Sequence, residues 1–531
     1  MCGIAGFVGP GNISDLKAMT ARLSHRGPDG LGLYQDPDIP VFLGHRRLAV
    51  IDIAGGLQPM WDADNLIGIV FNGEIYNHVE LRSELERMGY KFLSNHSDTE
   101  VLVNGFLAWG NDLPSKLNGM FAFAIFDRRK RRLFLARDRM GEKPLYYCVR
   151  KDSFMFASEL SAFPGHANFH AEANCTALKK LLAYGFLPAP ITFYKSVHKL
   201  GHGQSLTLDI DTGDVKTTEY WQFRLDPSRY TEASEESLNE EFRDLVAQSV
   251  KRRMISDVPL GVMLSGGLDS SVIAQVAASK ADAPIKTFTI GFQEPTFDES
   301  KYAETMATRL ATDHHVRMLS IEDAKDLIPE VLTKLDEPFA DPSILPTYLL
   351  CQFAREEVTV ALTGDGGDEL FAGYDPFAAL APARRYQTLV PKPVHTVLRS
   401  LIDLLPVSGQ NMGLDFKLRR VFRGLDLPAS SWNPSWLGPA SLEEMEEVFR
   451  EPVDARDIYS EAITLWETSL SNSDVDRTLE FYTNLYLPEN ILMKADRASM
   501  MNGLELRAPF LDPEILSFAM RLPPMMKYRS G

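Results

Sequence analysis

The second residue of the sequence is a cysteine, and a cysteine at this position can act as a nucleophile that carries its own base. Cys2-Gly3-Ile4 follows Met1. Loss of Met1 would place the Cys2 thiol beside a free α-amine, whose ordinary pKa of ~7.7–8.0 lets it take the thiol proton at neutral pH. Taken alone, the position also fits a small buried thiol. The rest of the sequence has to decide between the two interpretations.

A loop rich in glycine and serine follows a short apolar strand in the second half of the sequence. The stretch from Ser265 to Ser271, Ser-Gly-Gly-Leu-Asp-Ser-Ser, comes directly after Leu264 and opens a predicted helix. The glycines let the backbone turn tightly, the serines add hydroxyl donors, and a helix amino terminus directs N–H groups at an anion. The loop matches neither the Walker type nor the dinucleotide-binding type. We predict a phosphate-binding loop; a plain glycine turn with a serine cap is the alternative.

A second loop, rich in glycine and aspartate, runs from Thr363 to Glu369 after the apolar strand that ends at Leu362. Because ligands of open parallel sheets bind beyond the carboxyl ends of the strands, Asp368 in this loop could join Asp269 of the first loop. Carboxylate oxygens are the ligands that Mg²⁺ prefers, and a Mg²⁺ ion there would bridge ATP phosphates. A solvated turn is the alternative to this predicted magnesium site.

Short β-rich runs dominate residues 3–200, and two predicted helices interrupt them. The runs include residues 41–43, 66–71 and 120–126. One helix, around residues 81–88, stops at Gly89, and the other opens at Ser97 with a Ser-x-x-Glu capping box. The basic run at residues 128–132 fits an exposed hairpin connection better than a nucleic-acid patch. The first half is therefore expected to contain sheets with packed helices.

Strands and helices alternate in the second half, after a polar stretch between residues 200 and 240. Predicted strands at 261–264, 285–290, 315–318 and 358–362 alternate with predicted helices at 270–280, 299–311 and 322–333. This alternation is typical of a parallel sheet with helical crossovers. After about residue 375 the sequence is mainly helical. We place one domain at residues 2–215 and the other at residues 236–531, with the boundary near 215–235.

Length and composition predict a multidomain globular protein of the cytoplasm. The chain has 531 residues, 45% of them apolar, and a formal net charge of −17, which argues against a nucleic-acid or anionic-membrane surface. The cysteines Cys2, Cys148, Cys175 and Cys351 form no Cys-x-x-Cys pair, so neither a disulfide framework nor a zinc site is indicated. We find no signal-peptide pattern and no apolar run of the roughly 18 residues that span a bilayer.

Four separated motifs resemble those of the bacterial type of glutamine-dependent asparagine synthetase. They are Cys2-Gly3-Ile4, residues 72–77 (Asn-Gly-Glu-Ile-Tyr-Asn), residues 265–271 and residues 363–374, in the family's order and over nearly the whole chain. The resemblance implies an α/β multidomain fold. An αββα sandwich of the N-terminal-nucleophile amidotransferase type would precede a parallel-sheet α/β domain of the ATP-pyrophosphatase type with a helical C-terminal part.

In the first domain the resemblance implies hydrolysis of glutamine to glutamate and ammonia through a thioester. The nucleophile corresponds to Cys2, and the glutamine-binding residues correspond to Arg47, Asn72, Gly73, Glu74 and Asp98. The Asn72 side chain and the Gly73 N–H would form the oxyanion hole, a device worth ~2.7–4 kcal/mol per donor. Arg47 would grip the α-carboxylate, and Glu74 with Asp98 would bind the α-ammonium. Asn72-Gly73 also fits a hairpin turn, and Asp98 also fits an acid in the first turn of a helix.

In the second domain the resemblance implies that ATP adenylates a carboxylate and that ammonia then attacks the acyl-adenylate. The ATP-binding residues would be Leu264, Ser265, Gly266, Gly267, Asp269, Ser270, Ile290, Thr363 and Gly364, and the Mg²⁺ ligands would be Asp269 and Asp368. Asp365 stands where some relatives have glutamate and keeps the charge near the intermediate. Lys494 and Arg497 share one helical face, and either is a candidate for the cation that stabilises the adenylation transition state. Residues 336–343 resemble a family segment near the acceptor, without individual roles.

The sequence thus predicts an ATP-dependent carbon–nitrogen ligase that makes asparagine from aspartate, glutamine and Mg-ATP. One alternative keeps both half-reactions and amidates a different carboxylate in a cell-surface or natural-product pathway. A sensor of glutamine or nucleotide without catalysis is a further alternative, which the nucleophile and the phosphate loop disfavour. We expect small-molecule partners only, with no nucleic acid and no membrane, and the resemblance is compatible with a homodimer. A dry passage between the sites is expected, because ammonia in water would protonate and lose its lone pair.

Overall fold

Strands and helices of the computed structural model follow two patterns, with antiparallel sheets in the first half and a parallel sheet in the second. The structure describes residues 1–406, 408 and 412–529. Among the helices of this described part, none combines the length and the apolar character that crossing a bilayer requires.

The first half contains two antiparallel sheets and five helices. Its strands are β1 (Gly3–Val8), β2 (Gly30–Gln35), β3 (Val41–Arg47), β4 (Met60–Trp61), β5 (Ile67–Ile75), β6 (Gly119–Asp127), β7 (Arg132–Arg137), β8 (Tyr146–Val149), β9 (Phe154–Ala157), β10 (Val197–Lys199), β11 (Gln204–Asp209) and β12 (Val215–Glu219). Its helices are α1 (Ile13–Ala21), α2 (His78–Arg87), α3 (Asp98–Trp109), α4 (Leu113–Lys116) and α5 (Cys175–Tyr184). The strand orders are β10-β8-β9-β1-β3-β2 and β12-β11-β7-β6-β5-β4.

The two sheets pack face to face, and helices cover the outer face of each. Successive residues of a strand point to opposite faces. Accordingly Ile4 and Val70 lie in the core between the sheets, whereas Ala5 packs with helix α1 and Phe71 packs with helices α2 and α3. The central strands β1, β5 and β6 are buried on both faces, which explains why they read as continuous apolar runs. The predicted αββα sandwich is confirmed.

The second half contains one parallel sheet of five strands, in the order β15-β14-β13-β16-β17. Its strands are β13 (Leu260–Met263), β14 (Lys286–Phe292), β15 (Asp313–Leu319), β16 (Val360–Leu362) and β17 (Glu505–Arg507). The helices up to β16 and just after it are α6 (Glu235–Arg253), α7 (Leu268–Lys280), α8 (Ser300–Leu310), α9 (Ile321–Lys334), α10 (Ile344–Arg355) and α11 (Gly367–Phe371). The predicted alternation of strands and helices is confirmed, while α10 and β17 were not predicted.

The predicted helical C-terminal part is also confirmed. Its helices are α12 (Pro376–Leu389), α13 (Lys392–Asp403), α14 (Leu414–Gly424), α15 (Trp432–Leu437), α16 (Leu442–Val448), α17 (Ala455–Ile458), α18 (Ser460–Thr468), α19 (Asp474–Phe481), α20 (Leu492–Met500), α21 (Pro513–Arg521) and α22 (Pro524–Lys527). A π-helix, Tyr482–Ile491, leads directly into α20. π-Helical segments are rare and are often found at functional sites.

The capping box predicted at Ser97 is wrong. Ser97 is the residue before helix α3, but its side chain makes no capping hydrogen bond. The Glu100 carboxylate instead accepts hydrogen bonds from the backbone N–H groups of Leu93, at 2.6 Å, and Ser94, at 2.8 Å. It therefore ties down the loop before the helix rather than the helix terminus. The predicted hairpin at residues 128–132 is confirmed, because it joins the antiparallel strands β6 and β7.

Buried ion pairs join the two halves of the molecule. Arg26, which follows helix α1, donates to Glu159 at 2.8 Å and to both carboxylate oxygens of Asp496 on helix α20, at 2.7 and 2.9 Å. The three side chains are at most 2% exposed. Removing one partner of a buried pair leaves an uncompensated charge, which costs far more than removal of a surface pair.

We expect Arg26→Met to lower the free energy of unfolding by about 3–5 kcal/mol, because Glu159 and Asp496 lose their shared cation. The matched control is Arg131→Met, since Arg131 is 42% exposed in a pair with Asp211 and should contribute about 0–1 kcal/mol. Urea denaturation of the whole chain measures both. Equal effects of the two substitutions would contradict a structural role for the buried pair.

Candidate active sites

Cys2 lies at the start of strand β1, in a buried position fixed by hydrogen bonds to its backbone. Its N–H donates to Asn72 Oδ1 at 2.9 Å, and its carbonyl accepts from Arg26 Nε at 3.1 Å. Burial raises the pKa of the Cys2 thiol, although the nearby positive amino terminus opposes this effect. A buried thiol with a raised pKa needs a base beside it in order to react.

Asn72 and Gly73 lie side by side on strand β5, next to Cys2. The Oδ1 atom of Asn72 is used by Cys2, whereas its Nδ2 atom is buried and has no hydrogen-bond partner among the described residues. At Gly73 a Cβ atom would lie 2.1 Å from the Met120 carbonyl oxygen, so only glycine fits. An unpaired buried donor is costly and calls for an explanation such as a ligand. The free amide is thus available to a negative oxygen beside the Cys2 sulfur.

A cation and two carboxylates face the same pocket as Cys2. Arg47 donates to the carbonyl oxygens of Asp52 and Ile53, both at 2.7 Å, and among the described residues it forms no ion pair. Burial, and then the charge of Asp98, raises the pKa of Glu74 well above its ordinary value. Burial likewise raises the pKa of Asp98. The pocket therefore offers a cation to the carboxylate of an α-amino acid and two carboxyl groups to its ammonium.

Met1 occupies part of this pocket in the structure. Its ammonium donates to the Glu505 carboxylate at 2.8 Å, and its side chain packs in an apolar cluster with Leu48 and Val50. The remaining cavity is only about 30 Å³. Small-molecule pockets typically measure roughly 300–1,000 Å³, so a free amino acid requires the space that Met1 fills.

A second, larger cavity of about 450 Å³ lies beyond the carboxyl ends of strands β13, β14 and β16. The predicted residues that line it are Leu264, Ser265, Asp269, Ser270, Ile290, Thr363, Gly364, Asp365, Asp368 and Lys494. Gly266 and Gly267 do not line it and shape the backbone behind it. This is the edge at which open parallel sheets bind their ligands.

Glycines allow the two loops of this cavity to approach each other. Gly266 has φ +83°, and a Cβ atom there would lie 2.5 Å from the Ala303 nitrogen. A Cβ atom at Gly364 would lie 2.9 Å from the Ser270 nitrogen, and one at Gly367 would lie 2.2 Å from the Asp269 carboxylate. The close contact of the loops brings together the acidic residues that each of them carries.

The negative charges of two of these acids, Asp269 and Asp368, are poorly compensated by their surroundings. Burial, and then the charge of Asp368, raises the pKa of Asp269 to about 6. Burial also raises the pKa of Asp368. Among the described residues there is no group of three or more His, Cys, Asp or Glu side chains that could hold a metal ion. Two carboxylates suit Mg²⁺, which is usually held by one or two carboxylates together with substrate phosphates.

The structure separates Lys494 from Arg497. Lys494 lines the large cavity, donates to the Ser343 hydroxyl at 2.9 Å and lies 3.5 Å from Asp341. Arg497 is 2% exposed, does not line that cavity and pairs with Asp336 at 2.8 Å. Residues 336–343, which had no assigned roles, therefore hold both cations. The sequence could not distinguish the two, because only the partners of each side chain show which way it points.

Sequence reasoning also missed two charged residues of strand β17. Glu505 lines the small pocket, and Arg507 lies 3.4 Å from the Glu74 carboxylate. Both come from the second half of the chain, although the pocket otherwise belongs to the first. The alternation of charged and apolar residues in Glu505-Leu506-Arg507 is a strand signal, but three residues are too short to predict from.

Comparisons with known proteins agree with this division of sites. A glutamine amidotransferase domain family matches residues 1–221, and the asparagine synthase family matches residues 241–531. Glutamine-hydrolysing asparagine synthetase 1 of Bacillus subtilis is 32% identical over 100% of this chain and 82% of its own length. A putative asparagine synthetase 2 of Methanocaldococcus jannaschii is 33% identical over 96% of this chain and 100% of its own length. A putative asparagine synthetase of Mycobacterium tuberculosis H37Rv is 33% identical over 98% of this chain and 82% of its own length.

The order of the two sites defines a class of protein, an amidotransferase domain followed by a synthetase domain. The chain belongs to the family of glutamine-hydrolysing asparagine synthetases.

We expect Gly73→Ala to abolish function at the Cys2 pocket, because the new Cβ atom would overlap the Met120 carbonyl oxygen at 2.1 Å and displace the neighbouring Asn72. Gly30→Ala is the matched control, since a Cβ atom there meets Arg47 Cβ at an ordinary 3.4 Å. The measurement is glutamine hydrolysis, with the melting temperature as the control for folding. Normal hydrolysis by Gly73→Ala would contradict the geometry described for this strand.

Proposed function

We propose that the protein is a glutamine-dependent asparagine synthetase. It hydrolyses glutamine at Cys2, adenylates the side-chain carboxylate of aspartate with Mg-ATP, releases pyrophosphate and transfers ammonia to give asparagine, AMP and glutamate. The observation that carries the proposal is the presence of two chemically different sites in one chain of this family. One has a thiol beside a free amide donor and complementary charges, and the other has a phosphate-type loop with paired acids.

The first site supports amide hydrolysis through a thioester. Once Met1 is removed, the α-amine of Cys2 takes the thiol proton, and the sulfur attacks the glutamine side-chain amide. The tetrahedral oxyanion accepts hydrogen bonds from the free Nδ2 atom of Asn72 and from the Gly73 N–H. The protonated amine then gives its proton to the amide nitrogen, the C–N bond breaks to release ammonia, and water hydrolyses the thioester to give glutamate and the free thiol. The raised pKa of the buried thiol is the reason why the adjacent amine is needed.

The charged residues of the pocket orient the glutamine. Arg47 carries an uncompensated charge that a substrate carboxylate can pair with. Glu74 has one carboxylate oxygen, Oε1, that is buried without a hydrogen-bond partner among the described residues, and Asp98 lies beside it. The substrate ammonium supplies both the donors and the positive charge that these two acids lack.

The second site supports adenylation by positioning and by charge. Ser265, Ser270 and the start of helix α7 would offer hydroxyl and N–H donors to phosphate groups in the cavity. Asp269 and Asp368 would hold Mg²⁺, which would neutralise charge on the phosphates. Lys494, fixed by Ser343 and Asp341, is the cation that faces the cavity and would stabilise the charge that moves onto pyrophosphate.

The proposal also includes the acceptor, the cellular location, the oligomeric state and the domain limits. The names of the relatives favour aspartate over a different carboxylate acceptor. A cytoplasmic location agrees with the unpaired cysteines Cys2, Cys148, Cys175 and Cys351. The homodimer and the domain limits 2–215 and 236–531 stay predictions.

We expect Cys2→Ala to lose glutamine-driven AMP formation by about 10³-fold or more, because the nucleophile is gone, while ammonium-driven AMP formation stays within about twofold. Aspartate should support pyrophosphate release, and glutamate and other acids should not. The assay measures pyrophosphate and AMP from Mg-ATP, with each acid and with each nitrogen source.

Cys148→Ala is the matched control for this experiment, since Cys148 is a buried thiol on strand β8 that lines neither cavity. It should keep both activities. Equal loss of ammonium-driven and glutamine-driven synthesis in Cys2→Ala would contradict two separate sites. Pyrophosphate release with another acid and not with aspartate would favour the alternative acceptor.

We expect the affinity for Mg-ATP to fall as the pH drops through about 6, the pKa of Asp269. Metal binding needs the ionised carboxylate, so the affinity is fully present above this pH and falls about tenfold for each pH unit below it. Asp368→Asn should weaken binding at pH 8 and move the midpoint to lower pH, because it removes both a ligand and the neighbouring charge. Calorimetric titration between pH 5 and 8 measures this.

The control for the pH experiment is Asp313→Asn, which alters an exposed acid at the start of strand β15. It should leave the profile unchanged. A constant affinity between pH 5 and 8, or binding that does not depend on Mg²⁺, would contradict the assignment of Asp269.

A further inference from the structure

Strand β17 belongs to the second domain but contributes to the pocket of the first. Glu505 lines the pocket around Cys2, whereas Leu506 lines the large cavity. Side chains of a strand alternate between its two faces. Glu505 and Arg507 therefore lie on the face of the strand that is turned toward the first domain, and Leu506 lies on the face that is turned toward the proposed nucleotide site.

The side chain of Arg507 is fully buried, and hydrogen bonds fix its guanidinium. Its guanidinium donates to Glu505 at 2.8 Å and to the carbonyl oxygens of Arg253 and Ile255, at 2.8 and 2.6 Å. Its remaining nitrogen lies 3.4 Å from the Glu74 carboxylate. These contacts leave the guanidinium one orientation, in which it faces Glu74.

Glu74 is a buried carboxylate with another carboxylate beside it. The charged groups that face it are Asp98 from helix α3, Glu505 and Arg507 from strand β17, and the amino terminus. Burial and Asp98 favour the protonated form of Glu74, while Arg507 and the amino terminus favour the ionised form. A protonated Glu74 would present a donor to a substrate ammonium, which itself has only donors.

We propose that Arg507 is a positioning residue for glutamine, through which the second domain orients Glu74 and favours the ionised form that binds the substrate ammonium. This inference rests on the proposed hydrolysis of glutamine at Cys2. Arg507 does not line the pocket and acts through Glu74. The first domain thus supplies the residues that would touch glutamine, and the second supplies a charge that makes one of them competent.

The backbone of the same residue holds the nucleotide loop. The Arg507 carbonyl oxygen accepts a hydrogen bond from the Thr363 N–H at 2.9 Å, and Arg507 pairs with Leu362 in the register of strands β16 and β17. Strand β17 thus contacts the nucleotide loop through its backbone and Glu74 through the Arg507 side chain.

The test compares Arg507→Met, Arg507→Lys and the control Lys180→Met in the full chain. Lys180 is likewise a buried cation between the domains, paired with Glu461 at 2.6 Å, and it lines neither site. The readouts are kcat and KM for glutamine hydrolysis between pH 5 and 9, ammonium-driven AMP formation, and the melting temperature.

Arg507→Met should raise KM for glutamine about tenfold or more, a change that corresponds to ~1.4 kcal/mol, with kcat within about threefold of the unchanged protein. The acid limb of kcat/KM should move to higher pH, because loss of the positive charge favours the protonated form of Glu74. Arg507→Lys should restore part of both effects. Lys180→Met should leave the KM for glutamine and the pH profile of kcat/KM at the level of the unchanged protein. Ammonium-driven AMP formation should persist in all three variants.

An unchanged KM and pH profile in a folded Arg507→Met would overturn the inference. So would a parallel loss of both activities together with a lower melting temperature in Arg507→Met and Arg507→Lys, which indicates a structural role alone. Failure of the proposed function has a different signature, namely that the unchanged protein hydrolyses glutamine but forms no AMP with aspartate. In that case the KM comparison still decides the role of Arg507.

Discussion

The pairing of buried charges between the two domains is the constraint on which the rest of the structure depends. Arg26 reaches across to Asp496, Lys199 reaches Glu489, and Arg507 reaches back to Glu74. A buried charge without a partner is strongly destabilising, so each of these pairs fixes one domain against the other. The relative position of the two sites follows from this requirement, because the same helix that carries Asp496 also carries Lys494.

The region between the sites is apolar where it is not ion-paired. Met120 of the first domain packs with Val360 and Met500 of the second, and the next residue of strand β16, Ala361, packs in a cluster whose members Met263 and Leu506 line the large cavity. Successive residues of strand β16 point to opposite faces, so Val360 packs in the cluster beside the Cys2 pocket and Ala361 packs in the cluster beside the large cavity. An apolar region of this kind suits the transfer of ammonia, which keeps its lone pair only while it stays unprotonated.

The sequence predicted the features that depend on neighbours in the chain. Apolar runs gave the strands of both sheets, and glycine-rich stretches after strand ends gave the loops, since strand, turn and helix signals are local. It failed where a side chain chooses a distant partner. Glu100 ties a preceding loop instead of capping helix α3. The sequence also left open whether Lys494 or Arg497 is the cation of the large cavity, and the structure shows that Lys494 lines it whereas Arg497 pairs with Asp336. Strand β17 was missed because it is defined by its pairing with strand β16. Its own three residues carry too little signal to predict it.

Both candidate sites contain buried polar or charged groups that the fold leaves without a partner. Buried polar atoms normally have partners, yet the Nδ2 atom of Asn72 and the Oε1 atom of Glu74 have none among the described residues. Like charges normally avoid each other, yet burial, together with the nearby charge of Asp368, raises the pKa of Asp269 to about 6. Each violation lowers the stability of the empty protein, and each is relieved by one group of the proposed substrates. In the proposed function an oxyanion would accept from Asn72, an ammonium would donate to Glu74, and Asp269 with Asp368 would hold a divalent cation, so ligand binding would repay locally what folding alone leaves unsatisfied.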